Sequence, residues 1–164
     1  MRTYLKSAIT LLLITIFSQQ AFAKPSIGTF LGTVTKVSDG DTFKIIPDKL
    51  IPGAKTNKEG EVSIRLYGVD APETKKPQWP AQPHSEAAKD YLERLVEGKT
   101  IICEMKDLDR YQRAVCIVTA NGRNVNLEMV SAGYAWAYLK YLDRPYASEY
   151  IGIEEEARKA RKGL

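Results

Sequence analysis

The sequence is poor in the side chains that many catalytic and metal sites use. Its 164 residues include one histidine, His84, and two cysteines, Cys103 and Cys116. These side chains cannot supply the four nitrogen and sulfur ligands of a structural zinc site. A single histidine also excludes catalysis by two histidines acting as general acid and general base. Any chemistry in this chain must therefore rest on other groups.

Long apolar runs are scarce as well, and the longest, Ala8 to Phe17, stands near the start. Basic residues precede this run, and an A-x-A sequence follows it at 21–23. This pattern predicts a secretory signal peptide over residues 1–23, with an apolar core too short for a stable membrane anchor. We expect an exported protein, periplasmic or extracellular. Residues 24–164 would form a single, monomeric OB-fold domain.

The chain has no large excess of either charge. It contains 24 Lys and Arg residues against 20 Asp and Glu residues, and Arg2 and Lys6 belong to the predicted signal peptide. The remaining 22 basic and 20 acidic side chains do not form a polybasic coat. Binding of an anion must therefore depend on where individual arginines and lysines stand.

The apolar pattern predicts five mainly antiparallel strands, with a helix between the third and the fourth and further helices at the end. The predicted strands are Gly28 to Val37, Phe43 to Ile46, Val62 to Val69, Ile101 to Met105 and Ala114 to Thr119. Ser85 and Asn126 are the predicted N-caps of the first two helices, and the last helix is predicted to start at about Ser148. This order is typical of an α+β fold, a five-stranded OB-type Greek-key β-barrel with about three helices.

The two cysteines fall on the last two predicted strands. A turn centred between Asp109 and Arg110 would place Cys103 opposite Cys116. Cross-strand neighbours lie near disulfide range, and cysteines of exported proteins commonly pair, so we expect a bridge. The alternative is a pair of small buried thiols.

An acidic pattern begins at V-S-D-G-D-T-F, residues 37–43. Asp39-Gly40 predicts a tight turn between two strands, and that turn does not need Asp41. Asp70 and Ala71 end a later strand, and the following proline extends Ala71 so that its carbonyl can leave the ladder. Two carboxylates and a carbonyl are hard oxygen ligands that suit Ca²⁺. Each acid alone is better explained as a turn, strand-end or loop residue.

Two arginines strengthen this interpretation. Arg65 lies within a predicted strand, on the face opposite its apolar neighbours, and Arg113 begins another strand. A guanidinium in a strand is costly unless it has a fixed anionic partner, and a phosphate held from two sides is such a partner. Glu73 lies next to the predicted ligands without being needed as one. It is the candidate to orient or deprotonate a water molecule.

Several motifs in order resemble the staphylococcal-nuclease (thermonuclease) family. They are D-G-D-T at 39–42, R-L-x-G-V-D-A-P-E-T at 65–74, D-R-Y-x-R at 109–113, V-N-x-x-M-V-x-x-G-x-A at 125–135 and E-x-x-A-R-x-x-x-K-G-L at 154–164. The resemblance implies a five-stranded OB barrel and a calcium-dependent, sugar-nonspecific nuclease. Such an enzyme cleaves DNA and RNA and leaves 3′-phosphate ends. A non-catalytic nucleic-acid-binding OB module is the alternative.

The resemblance also implies roles for individual residues. Asp41 and Asp70 match the calcium carboxylates, Ala71 matches the residue that gives a carbonyl to the metal, and Glu73 matches the general base. The phosphate-binding arginines correspond to Arg65 and Arg113, and the nucleotide-pocket tyrosines to Tyr111 and Tyr138.

The sequence departs from the family pattern near the second arginine. Gln112 stands where a glycine is usual. If that glycine serves a special backbone angle, Gln112 is expected to alter how Arg113 is presented. The loop over residues 47–60 is also longer than in the type member, which predicts a difference in substrate access.

Overall fold

The structure, a computed structural model, describes residues 26–163, so the predicted signal peptide lies outside it. The strands are β1 (Gly28–Asp39), β2 (Thr42–Pro47), β3 (Val62–Leu66), β4 (Val69–Asp70), β5 (Thr100–Leu108), β6 (Ala114–Ala120), β7 (Arg123–Asn124) and β8 (Trp136–Ala137). The helices are α1 (Ser85–Val96), α2 (Val125–Ser131) and α3 (Arg144–Lys159), with a 3₁₀ turn at Leu139–Tyr141. None of the described helices is long and apolar enough to cross a membrane.

Five of the strands close into a barrel. The sheet order is β3-β2-β1-β5-β6-β7, with antiparallel neighbours, and a parallel pairing of β3 with β6 closes the ring. The short strands β4 and β8 form a separate two-stranded sheet. The predicted α+β fold of the OB type, a five-stranded barrel with three helices, is confirmed.

Strict alternation along β3 explains how the barrel supports a polar site. Val62, Ile64 and Leu66 are buried in the core, whereas Ser63 and Arg65 on the other face are only partly buried. Because successive side chains of a strand point to opposite faces, the apolar residues hold the strand in place while Arg65 points away from them.

The register of β5 with β6 differs from the predicted one. Cys103 lies opposite Val118, and Cys116 lies opposite Met105. The connecting loop is centred on Tyr111 rather than between Asp109 and Arg110, and an irregularity follows Met105. The prediction that Cys103 faces Cys116 was therefore wrong. Both cysteines are buried free thiols in the structure, without the expected bridge. Burial raises the pKa of the Cys116 thiol well above its ordinary value.

Helix α2 begins two residues earlier than predicted, and Asn126 has another role. The side chain of Asn124 caps the helix by accepting a hydrogen bond from the backbone N–H of Leu127. Asn126 is fully buried, accepts a bond from Val118 N–H and donates to the carbonyls of Tyr67 and Cys116. It therefore joins the helix to the barrel instead of capping it.

The other helix starts also differ from the prediction. Helix α1 includes Ser85, and the residue before it, His84, stands at the cap position with a left-handed backbone and no side-chain capping bond. Helix α3 begins at Arg144, with a proline in its first turn, and so starts earlier than Ser148. The first helical position tolerates proline because its N–H has no helical partner.

The β1–β2 turn is shifted by one residue from the predicted one. Asp39 pairs with Thr42, so the turn residues are Gly40 and Asp41. Gly40 does not have the positive φ that the Asp-Gly signal suggests. A Cβ atom at this position would lie 2.7 Å from the Ala71 Cβ and 2.8 Å from the Ala88 Cβ. Glycine is thus required here because the turn packs closely against α1.

We expect Gly40→Ala to destabilise the fold by about 1–3 kcal/mol, because the added methyl group overlaps two buried neighbours. The free energy of unfolding in urea measures this loss. Gly28→Ala is the matched control, since a Cβ on Gly28 meets nothing within 4 Å. The control should change the stability by less than about 0.5 kcal/mol. Equal effects of the two substitutions would contradict the packing argument.

Candidate functional site

Strand pairing brings the predicted site residues to one region of the barrel. Arg65 in β3 lies opposite Thr42 in β2, the residue that follows Asp41. The short strand β4, which ends in Asp70, follows β3 after a two-residue turn. The acidic turn, the arginine and the second acid are therefore placed by three consecutive strands.

The guanidinium of Arg65 bridges the two predicted ligands. Its Nη1 pairs with Asp41 Oδ1, and its Nη2 donates to Asp70 Oδ1 at 3.1 Å and to the Val69 carbonyl at 3.0 Å. Only 14 % of the Arg65 side chain is exposed. Burial alone would lower the pKa of Arg65, but the charges of Asp41 and Asp70 hold it above its ordinary value. Arg65 is therefore a fixed cation between two carboxylates.

Asp41 is a buried carboxylate with every side-chain oxygen bound. Oδ2 accepts a hydrogen bond from the Ala71 N–H at 2.9 Å, and Oδ1 accepts one from the Thr42 hydroxyl at 2.9 Å. Burial raises the pKa of Asp41 to about 7, against the lowering effect of Arg65 and with a further increase from the charge of Asp39. The guanidinium of Arg65 thus does not fully offset the cost of burying this carboxylate.

Asp39 is a second buried acid, which the sequence analysis assigned only to the turn. Its Oδ2 accepts a bond from Lys76 Nζ at 2.9 Å. Its Oδ1 is buried and has no hydrogen-bond partner among residues 26–163. Because Gly40 and Asp41 make a two-residue turn, the side chains of Asp39 and Asp41 lie close enough to affect each other.

Glu73 stands beside this acidic cluster at the start of a loop. Its backbone N–H donates to Gln82 Oε1 at 2.8 Å, and its carbonyl accepts from Gln82 N–H at 2.9 Å. The half-exposed carboxylate lies 3.2 Å from Lys76 Nζ. Lys76 therefore contacts both Glu73 and Asp39.

The charges of the cluster do not balance. Four carboxylates, those of Asp39, Asp41, Asp70 and Glu73, contact two cations, Arg65 and Lys76. The excess of two negative charges and the unpaired Asp39 oxygen are suited to a hard divalent cation. Within the described part of the chain, no three His, Cys, Asp or Glu side chains are gathered as metal ligands. The guanidinium of Arg65 instead bridges two of the acids.

Arg113 approaches the same turn from the β5–β6 loop. Its Nε donates to Asp109 Oδ2 at 2.6 Å, and its backbone N–H donates to Asp109 Oδ1 at 2.9 Å. Its Nη1 reaches the Thr42 hydroxyl at 3.3 Å, and that hydroxyl donates to Asp41. Both predicted phosphate-binding arginines are thus connected to Asp41, one directly and one through Thr42.

Comparison with known proteins identifies the group to which this arrangement belongs. The family model "Staphylococcal nuclease homologue" matches residues 63–164. The chain belongs to the staphylococcal nuclease family.

Several curated proteins are similar to this family member. An uncharacterized endonuclease of Haemophilus influenzae is 36% identical over 131 residues, which are 80% of this chain and 64% of that protein. An uncharacterized endonuclease of Escherichia coli O157:H7 is 35% identical over 134 residues, 81% of this chain and 75% of that protein. A probable staphylococcal-like nuclease, CAN1, of rice is 38% identical over 101 residues, which cover 62% of this chain and 28% of that protein. The chain spans slightly less than two thirds of the Haemophilus protein.

The departure from the staphylococcal nuclease pattern at Gln112 keeps the backbone conformation that a glycine adopts easily. Gln112 has a φ of 61°, in the left-handed region. A residue with a Cβ is strained there by about 1–2 kcal/mol. The Gln112 carbonyl accepts a hydrogen bond from the Lys55 N–H, so the 47–60 loop is attached to the β5–β6 loop that carries Arg113. The chain therefore retains the turn that leads into Arg113.

The two predicted pocket tyrosines have different surroundings. The exposed ring of Tyr111 lies below the guanidinium groups of Arg110 and Arg113, 4.7 and 5.4 Å from its centroid. Tyr138 follows β8, donates its N–H to the Gly68 carbonyl and contacts the ring of Tyr141 edge to face. Tyr111 therefore contacts Arg113 within the β5–β6 loop. Tyr138 instead follows β8, the strand that pairs with β4 and its Asp70.

Sequence reasoning missed several residues of the site. Asp39, Thr42 and Asp109 stand in the motifs D-G-D-T and D-R-Y-x-R, so their positions were visible but their contacts were not. Lys76 was not among the predicted site residues. Trp136, whose partner across the β4–β8 ladder is Asp70, is partly exposed and was not among the predicted site residues.

We expect Arg65→Met to destabilise the protein by about 3–5 kcal/mol, because it leaves the buried Asp41 without its cation. Urea unfolding measures the effect. Adding Asp41→Asn should recover part of the loss, since the uncompensated charge is then removed. Arg123→Met is the control, because it breaks an exposed pair with Glu128 and should cost less than about 1 kcal/mol. A loss no larger than that of the control would contradict the role of Arg65 as a structural cation.

Proposed function

We propose that this chain is an exported, periplasmic or extracellular, calcium-dependent nuclease. It hydrolyses phosphodiester bonds in both DNA and RNA and leaves 3′-phosphate ends. The observation that carries this proposal is the convergence of Arg65 and Arg113 on Asp41 and Thr42, next to a cluster of acids. Membership in the staphylococcal nuclease family and the endonuclease names of the relatives support the same reaction class.

The two arginines are suited to a phosphodiester. The group is anionic and repels nucleophiles, and its negative charge increases further when a fifth bond forms to phosphorus. Arg65 and Arg113 are held in position by Asp41, Asp70 and Asp109, so little reorganisation is needed when substrate arrives. Planar guanidinium groups bind phosphate oxygens with two parallel hydrogen bonds. These side chains would neutralise the phosphate and hold it for attack.

The acidic cluster fits Ca²⁺ as the cofactor. The carboxylates of Asp41 and Asp70 and the carbonyl of Ala71 would hold the ion, and its charge would offset the two excess negative charges. When bound, calcium supplies a Lewis acid for the phosphoryl oxygens and a site for water. Zinc is disfavoured because the cluster offers carboxylate oxygen and no thiolate or imidazole.

Glu73 is placed to act as the general base. Its carboxylate is half exposed, so water reaches it, and its backbone is fixed by two hydrogen bonds to Gln82. Glu73 would take a proton from the attacking water while the 5′ O–P bond breaks, and the leaving 5′ oxygen would take a proton from solvent water. The phosphate then remains on the 3′ side. No covalent intermediate is required, because water is the nucleophile.

We expect Glu73→Gln to lower the turnover of DNA in millimolar calcium by about 10²- to 10⁴-fold, the usual effect of losing a general base. The measurement is kcat on DNA and on RNA, with end-group analysis of the products. Glu59→Gln, an exposed glutamate in the 47–60 loop, is the control and should stay within about twofold of the parent. Unchanged turnover of Glu73→Gln would exclude the residue as the base.

Calcium should stabilise the protein as well as activate it. At a calcium concentration of about 100 times its Kd, binding to the folded state adds about 2.7 kcal/mol to the free energy of unfolding. The shift in Tm with calcium should disappear in Asp41→Asn and persist in Asp90→Asn, a control on the exposed surface of α1.

Full cleavage in excess chelator would refute the calcium assignment. Binding of nucleic acid without cleavage in calcium would instead support the non-catalytic OB module.

A further inference from the structure

The loop over residues 73–82 carries a large aromatic side chain that the fold does not use. Trp79 is 70% exposed, although tryptophan is among the side chains that gain most from burial. No described ring or cation contact involves its indole. The residue therefore has no evident role in packing.

The loop that carries Trp79 is well fixed. Two hydrogen bonds between Glu73 and Gln82 close its base. Two backbone hydrogen bonds of 3.1 and 3.2 Å join Lys76 to Trp79 and form a tight turn around Pro77 and Gln78. Because the backbone of this turn is held on both sides, less backbone entropy is lost when a ligand binds there.

The same loop is anchored to the proposed catalytic site. Lys76 Nζ contacts Glu73 Oε2 at 3.2 Å and Asp39 Oδ2 at 2.9 Å. Lys76 and Trp79 are direct backbone partners, and such partners lie about 5 Å apart at their Cα atoms. Trp79 thus lies in the same turn as the lysine that contacts the acidic cluster.

An exposed indole in the same turn as a fixed lysine, Lys76, has the chemistry of a single-strand binding site. Proteins that bind single strands stack unpaired bases on aromatic rings and hold the backbone with basic groups. A base within a duplex is stacked between two neighbouring bases, so neither of its faces is free for an indole. We propose that Trp79 stacks on an unpaired base of the strand whose phosphodiester Arg65 and Arg113 hold, so that Trp79 strengthens the binding of single strands and not of duplexes. The inference rests on the proposed nuclease function.

Steady-state kinetics on matched substrates test this proposal. With a single-stranded oligodeoxynucleotide, Trp79→Ala should raise KM about five- to tenfold, the lower part of the range for loss of one base-stacking contact. With the duplex of the same sequence, KM should change less than twofold. Trp79→Phe should restore most of the single-strand affinity, because a smaller ring still stacks. Ile27→Ala, in a side chain that is 58% exposed ahead of β1, is the control and should change neither value.

Equal changes of KM on the two substrates, or no change on either, would overturn the stacking role. Urea unfolding of Trp79→Ala should match the parent, which separates lost binding from lost folding.

A binding measurement decides the question even without cleavage. The chain has two tryptophans, so Trp136→Phe leaves Trp79 as the only indole. Titration of this variant with oligodeoxythymidylate in chelator should quench its fluorescence with saturation, and the matched duplex should quench it less. Absence of quenching by the single strand would overturn the proposal. If the parent cleaves no nucleic acid in calcium, the proposed function fails, and this titration alone decides the role of Trp79.

Discussion

The ion pairs of Arg65 with Asp41 and Asp70 are the interaction on which the rest of the site depends. Asp41 has to be buried for its turn to pack on the barrel, and a buried carboxylate without a cation would be strongly destabilising. Arg65 removes much of this cost because β3 pairs with both β2 and β6 and is held in the closed ring. The same guanidinium connects Asp70 to the turn. The pairing that closes the barrel therefore also holds the acidic cluster together.

Three features of the site could be predicted, because each depends on local alternation or on a motif. They are the side of β3 on which Arg65 lies, the order of the strands and the grouping of Asp41 with Asp70. The position of the turn at Gly40 and Asp41 could not. An Asp-Gly signal reports backbone preference, whereas Gly40 is required by contact with Ala88, which lies 48 positions later in the sequence. Asp39 was assigned to the turn for the same reason, and its contact with Lys76 was missed.

The errors at the cysteines and at Asn126 have a related origin. A register predicted from the centre of a turn assumes an even ladder, and the irregularity after Met105 places Cys103 and Cys116 diagonally across the ladder rather than directly opposite. Asn126 has the composition of a helix cap, but three backbone groups of the barrel need a buried polar partner at that point. Long-range hydrogen bonding outweighed the local preference in this case.

The close packing of Gly40 between Ala71 and Ala88 has a consequence for heat and denaturant. A catalytic site built on mobile loops can open separately, with a local free energy far below that of global unfolding. Here the acidic turn lies against a helix whose inner face is part of the core, so the turn and the core belong to one cooperative unit. Amide protons around Asp41 should therefore exchange as slowly as those of the barrel strands, and thermal inactivation should follow global melting.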